Sequence, residues 1–137
     1  FAILSEGDCQ EGSTWEAALF AGFHRLNNLT VIIDHNKLQA FGRVKEVLGL
    51  HPFADKWRAF NFRVLETDGH DVKKLCKSLD VCGHEGAKPQ VIIAHTVKGK
   101  GVSIFENQKK YHGVTPTPEE YDIAMKELGG PAAPVSP

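Results

Sequence analysis

Three short stretches of this sequence hold residue types able to do chemistry with a charged small molecule: Glu6-Gly7-Asp8, Asp34-His35-Asn36 and Lys98-Gly99-Lys100-Gly101. A carboxylate, an amide oxygen and nearby backbone carbonyls are hard oxygen ligands of the kind Mg²⁺ takes, and Mg²⁺ commonly completes its shell with phosphate and water. Glycine lets backbone approach a phosphate closely, and a helix beginning near Gly12 would aim its first N–H groups at the anion. Together these stretches read as a site for Mg²⁺ and a diphosphate. The plain alternative is a capping acid at Glu6 and a turn asparagine at Asn36, the commoner use of both residue types. Residue types alone leave the two readings open.

Each stretch follows an apolar, β-branched run. Four such runs, residues 1–5, 30–34, 62–67 and 90–97, are short and apolar on both faces, which suits parallel strands covered by helices. Helical patterns lie between them. In the first, Trp15, Ala18, Leu19, Gly22, Phe23 and Leu26 recur at helix spacing, with Ser13 or Thr14 as N-cap. The second, "HPFADKWRAF", opens with Pro52, where an early helical proline is tolerated. A third runs from Asp71, its cap, to about Leu79, and a fourth begins with Thr117 as cap, Pro118 next and two glutamates in the first turn. Strand and helix alternate throughout, so the expected fold class is α/β, a mainly parallel sheet with helices on both faces. Parallel strands would bring all three stretches to one carboxyl edge, where open α/β sheets bind ligands, and the long loops 37–51 and 98–117 leave from that same edge.

The totals set limits on partners. At 137 residues the chain has the size of one ordinary domain. Sixteen basic and seventeen acidic residues, with no Lys/Arg block, argue against nucleic acid or an anionic membrane as the main partner. Three cysteines without a CxxC spacing read as reduced thiols, and with no apolar run near the ~20 residues of a membrane span the expected location is cytoplasmic. "FAIL" at the start reads as the interior of a buried strand without an initiator Met, so a piece of a longer chain is expected; the tail 129–137, rich in Gly and Pro, reads as a disordered end or linker.

The blocks "SEGDCQEGSTWEAALFAG", "IIDHNKLQ", "FADKWRAF", "DGHD", "IIAHTVKGKGV" and "YHGVTPTPEE" together resemble the thiamine diphosphate-binding domain of transketolases, over residues 1–128. The family motif is an acidic Gly-Asp-Gly turn followed about thirty residues later by an asparagine. Here Ser5-Glu6-Gly7 stands in that turn, and Asn36 follows Glu6 by thirty positions but Asp8 by twenty-eight, so Glu6 takes the place of the metal-binding aspartate. The resemblance implies thiamine diphosphate and Mg²⁺ as cofactors, with Ca²⁺ or Mn²⁺ as alternative ions. The metal would be held by the side chains of Glu6 and Asn36 and the carbonyl of Leu38, with Gly7 against the diphosphate. Glutamate is one methylene longer than aspartate and Mg²⁺ demands tight octahedral geometry, so weaker cofactor affinity is the expected consequence. Lys98 and His112 would lie at the cofactor and substrate pocket as catalytic residues. Glu11 would join two active sites across a dimer interface. Lys100, Lys109 and Lys110 are further candidates for phosphate, with nothing in the sequence to fix their direction.

By the same resemblance the activity is transfer of a two-carbon ketol unit from a ketose phosphate to an aldose phosphate. The earlier stretch of the domain and the pyrimidine-binding domain are absent from the sequence, so the fragment alone is not expected to be active. Likeness to split transketolases in "DKWRAF" and "HTVKGKGVS" favours a separate partner subunit, in a homodimer or heterotetramer. The alternatives are a deoxyxylulose-phosphate synthase-like or ketoacid dehydrogenase-like component, or a degenerate, non-catalytic assembly or regulatory subunit. His24, His51, His70, His84 and His95 have no metal-like spacing, the pair His84-Glu85 lacks a second zinc-binding histidine, and His35 is read as packing.

Overall fold

The computed structural model describes residues 1–81 and 88–130. The apolar runs form strands β1 (Ala2–Ser5), β2 (Thr30–His35), β5 (Arg63–Asp68) and β6 (Gln90–His95), hydrogen-bonded in the order β1-β2-β6-β5 and parallel throughout. Helices α1 (Gly12–Phe23), α3 (Phe53–Ala59) and α4 (Val72–Asp80) flank the sheet, and α5 (Pro118–Glu127) is bonded to the loop after β6. This is the α/β architecture expected from the alternation. Register aligns Ser5 with Asp34, His35 with His95 and His95 with Asp68, so the strands end level with one another.

Strand alternation sends Leu4, Val31, Ile33, Val91, Ile93 and Val64 to one face, where α1 and α3 cover them with Ala18, Ala21, Phe53 and Trp57. Trp57 is fully buried at its centre, and Trp15 packs against it at 5.2 Å between ring centroids. The N–H of Trp15 donates to the Cys9 carbonyl at 2.8 Å, which ties α1 to the 3-10 turn at Asp8–Gln10.

Helix α1 departs from its sequence pattern. Leu19 and Phe23 point outward, 59% and 79% exposed, while Ala18, Ala21 and Gly22 face the core. The reason is proximity: a Cβ on Gly22 would sit 1.8 Å from the Phe60 carbonyl oxygen, so only the smallest residues fit between α1 and the end of α3. The N-cap is Glu11, without a side-chain bond, because the Thr14 hydroxyl is turned back to donate to the Asp8 carbonyl at 2.6 Å. Pro52 occupies the N-cap of α3, not its first turn. The other two caps are as the residues predict. Asp71 accepts from the Lys74 N–H, and Thr117 and Glu120 form a reciprocal capping box.

Loop 37–51 is more structured than its composition predicts. It holds a small antiparallel pair, β3 (Leu38–Gln39) with β4 (Gly42–Arg43), and the short helix α2 (Val44–Val47). Loop 98–117 contains a 3-10 turn at Lys109–His112. Cys9 is buried and Cys76 exposed, both as free thiols. Cys82, His84 and Glu85, and the tail beyond residue 130, lie outside the described residues.

Gly22→Ala should therefore cost about 1–3 kcal/mol, the usual penalty for overpacking. Urea unfolding of the two proteins checks this; equal midpoints would mean that α1 and α3 are not in such close contact.

Candidate functional site

The turn after β1 and the turn after β2 meet through one side chain. Glu6 is buried, 4% exposed, and its Oε2 accepts the Lys37 backbone N–H at 2.5 Å. Lys37 lies between Asn36 and Leu38 and has a positive φ of 67°, a conformation that costs a non-glycine residue about 1 kcal/mol or more. The bond to Glu6 offsets that cost. Asn36 is fixed from both ends: its Oδ1 accepts the Leu38 N–H at 2.9 Å, and its Nδ2 donates to Asp34 Oδ2 at 2.9 Å. The other Asp34 oxygen takes the Thr96 hydroxyl. The structure thus brings Glu6, Asn36 and Leu38 together, and shows the asparagine turn of the plain reading as part of the same arrangement.

A cavity of about 390 Å³ opens beside Glu6, lined also by His35, Lys37, Arg43, Lys45 and His51 over a floor that includes Phe53. Burial raises the Glu6 carboxyl above its ordinary value, a shift the Lys37 N–H partly opposes. His35 Nε2 lies 3.3 Å from Glu6 Oε1. Burial, and then the neighbouring His95, push the His35 imidazole down to about 4, so the ring that faces Glu6 is neutral at pH 7. Cys9, directly beneath, is pushed up to about 12 by burial and behaves as an inert core thiol.

Gly7 has an ordinary helical φ of −61°, and a Cβ there would meet Ser5 Oγ at 3.4 Å and Gln39 Cβ at 3.7 Å. Nothing within the chain demands glycine at this position. Among the described residues no group of three or more His, Cys, Asp or Glu side chains is arranged to hold a metal ion, so a cation here would depend on amide and carbonyl oxygens as well. One carboxylate, one amide and one carbonyl match Mg²⁺ in kind; of these three residues Glu6 lines the cavity, while Asn36 and Leu38 flank Lys37 beside it.

Lys98 and His112 are not in this cavity. Lys98 lines a separate cleft of about 290 Å³ with Phe105, Tyr111 and Pro116, and His112 is exposed at the end of a 3-10 turn that packs against β3. Lys100 and Lys110 are directed at carboxylates, Glu106 at 3.4 Å and Glu120 at 2.7 Å, so neither is turned toward the cavity. The Lys110 ammonium, the Thr117 N–H and the Tyr111 hydroxyl hold the Glu120 carboxyl down to about 2. Glu11 is exposed at the start of α1. His35 and His95 were not legible as site residues: the meeting of their Nδ1 atoms at 3.2 Å depends on β2 lying next to β6, which spacing does not reveal.

Residues 1–135 match the family model described as "Transketolase, thiamine diphosphate binding domain". The chain belongs to the transketolase thiamine diphosphate-binding family. It is 38% identical over 128 residues to an apulose-4-phosphate transketolase subunit from Phocaeicola vulgatus, covering 93% of this chain and 46% of that protein. The match to a 6-deoxy-6-sulfo-D-fructose transketolase subunit from a Clostridium species has the same identity and coverage. Among solved structures, Campylobacter jejuni transketolase superposes with a TM-score of 0.86 at 32% identity, over 93% of this chain and 20% of that one. This transketolase domain therefore spans about half the length, 46%, of the curated relatives it matches.

The His35 shift predicts a pH dependence. Between pH ~6.5 and about 4 the unfolded chain binds a proton at this imidazole that the folded chain refuses, so its contribution to stability falls as pH is lowered through that window. Glu6, raised, acts in the opposite sense, so the informative quantity is the difference in urea stability between wild type and His35→Gln. That difference should move against wild type as pH falls from about 6.5 to about 4.5; parallel profiles would contradict a neutral, half-buried His35.

Proposed function

We propose that this chain is the diphosphate-binding part of a transketolase that moves a two-carbon ketol unit from a ketose phosphate to an aldose phosphate. Family membership over residues 1–135 supports the thiamine diphosphate part of this reading. The observation that carries the site is the buried Glu6 carboxylate seated on the Lys37 N–H, between Asn36 and Leu38. In this reading Glu6 and Asn36 ligate Mg²⁺ through side-chain oxygens and Leu38 through its carbonyl, and Gly7 stays a glycine because the diphosphate passes over it. Lys98 and His112 serve the cofactor and substrate pocket, and Glu11 serves the dimer interface. Thiamine diphosphate, when bound, supplies the carbanion chemistry; the protein's part is to bind, orient and keep water away. Curated relatives that are themselves named as single subunits of a transketolase support a partner in the form of a second, pyrimidine-binding subunit.

A second reading, a non-catalytic assembly subunit, is favoured by Glu6 itself, since both of its oxygens face groups of this chain. Calorimetric titration of Mg²⁺ and thiamine diphosphate into the complete subunit with its partner separates the two. Saturable binding by wild type, tightened about tenfold by Glu6→Asp, is expected for the catalytic reading. Binding seen only with Glu6→Asp would establish the second, and binding by neither protein would remove the metal assignment.

A further inference from the structure

Four side chains form one row along the carboxyl edge, in the strand order of the sheet: Glu6 after β1, His35 on β2, His95 on β6 and Glu66 on β5. Alternation puts them all on the face that carries Leu4, Ile33, Ile93 and Val64. Successive contacts are 3.3 Å from Glu6 Oε1 to His35 Nε2, 3.2 Å between the two Nδ1 atoms, and 3.0 Å from His95 Nε2 to Glu66 Oε2. The His35 ring is stacked on Phe53, 5.7 Å between centroids at 19°, and stands edge-on to His95 at 86°. We propose that His95 and Glu66 are positioning residues that act through His35 to hold the Glu6 carboxylate for its cation. This rests on the reading of Glu6 as a metal ligand and goes beyond it.

The chemistry of the row dictates the direction of each bond. Glu6 offers only acceptor oxygens as a carboxylate, so His35 must turn an Nε2–H toward it. Its Nδ1 is then an acceptor, and the His95 Nδ1 must donate. Glu66 Oε2 lies 3.0 Å from the other nitrogen of His95, so the glutamate steadies that ring from the far side. Without His95, nothing selects the tautomer of His35, and the other tautomer would set a lone pair against Glu6. A glutamate has one more torsion than the aspartate usual in the family and needs this added restraint to present its oxygens in one place.

Mg²⁺ affinity at saturating thiamine diphosphate, measured on the complete subunit with its partner, and ¹⁵N spectra of the histidine rings without metal test the role. His95→Ala should raise the Mg²⁺ Kd about tenfold, the scale of losses when groups supporting a metal ligand are removed. Glu66→Gln, a surface change that leaves the fold intact, should raise it about threefold. In a Glu6→Asp background, where the shorter carboxylate falls short of His35, His95→Ala should change Kd less than twofold. The metal-free spectrum should show His35 protonated at Nε2 in wild type and a tautomer mixture in His95→Ala. Wild-type Mg²⁺ binding that neither variant weakens overturns the positioning role and leaves the metal reading standing. An equal loss in the Glu6→Asp background means general damage and also overturns it, as does a wild-type His35 protonated at Nδ1. No Mg²⁺ binding by wild type or Glu6→Asp removes the metal reading and this role together.

Discussion

The hydrogen bond from the Lys37 N–H to the buried Glu6 carboxylate is the constraint on which the candidate site depends. It joins two turns that are distant in sequence and adjacent only because β1 and β2 pair in parallel with Ser5 level with Asp34. It also holds Lys37 at positive φ, with its N–H turned to Glu6. A buried carboxyl without such a donor would bear the full desolvation penalty, so the turn geometry and the acid support each other.

Two polar networks meet at this edge from opposite faces of the sheet. Glu6, His35, His95 and Glu66 occupy the face packed by α1 and α3, while Asp34 links Asn36 to Thr96 on the other. The period of two along each strand separates them. The first network fixes the acid and the second fixes the amide, so each is supported by groups on neighbouring strands. The apolar lining of the cavity, Val44, Leu50 and Phe53, is itself buried, and burial is the largest cause of the shifts of Glu6, His35 and Cys9.

The later part of the chain is organised separately. Glu120 gathers Lys110, Tyr111 and the Thr117 N–H, and Glu127 bonds both the N–H and the hydroxyl of Ser103, so α5 fastens the long loop after β6 through charge-assisted bonds. This arrangement carries His112 on a 3-10 turn that packs against β3, and it uses Lys100 and Lys110 internally.

The sequence by itself determined the elements. Short apolar β-branched runs made the four parallel strands, and Asp71, Thr117 and Pro118 set the starts of α4 and α5, because hydrophobic period and capping act within a few residues. It also marked Glu6 and Asn36, whose spacing survives any packing. Only the tertiary structure decided that α1 turns Ala18 and Gly22 inward and Leu19 and Phe23 outward, since that choice rests on the Phe60 carbonyl lying against the helix. It alone decided the His35 to His95 contact and the separation of Lys98 from the Glu6 cavity. Strand order and register are set by long-range packing, and no local pattern of residue types encodes which strand lies beside which.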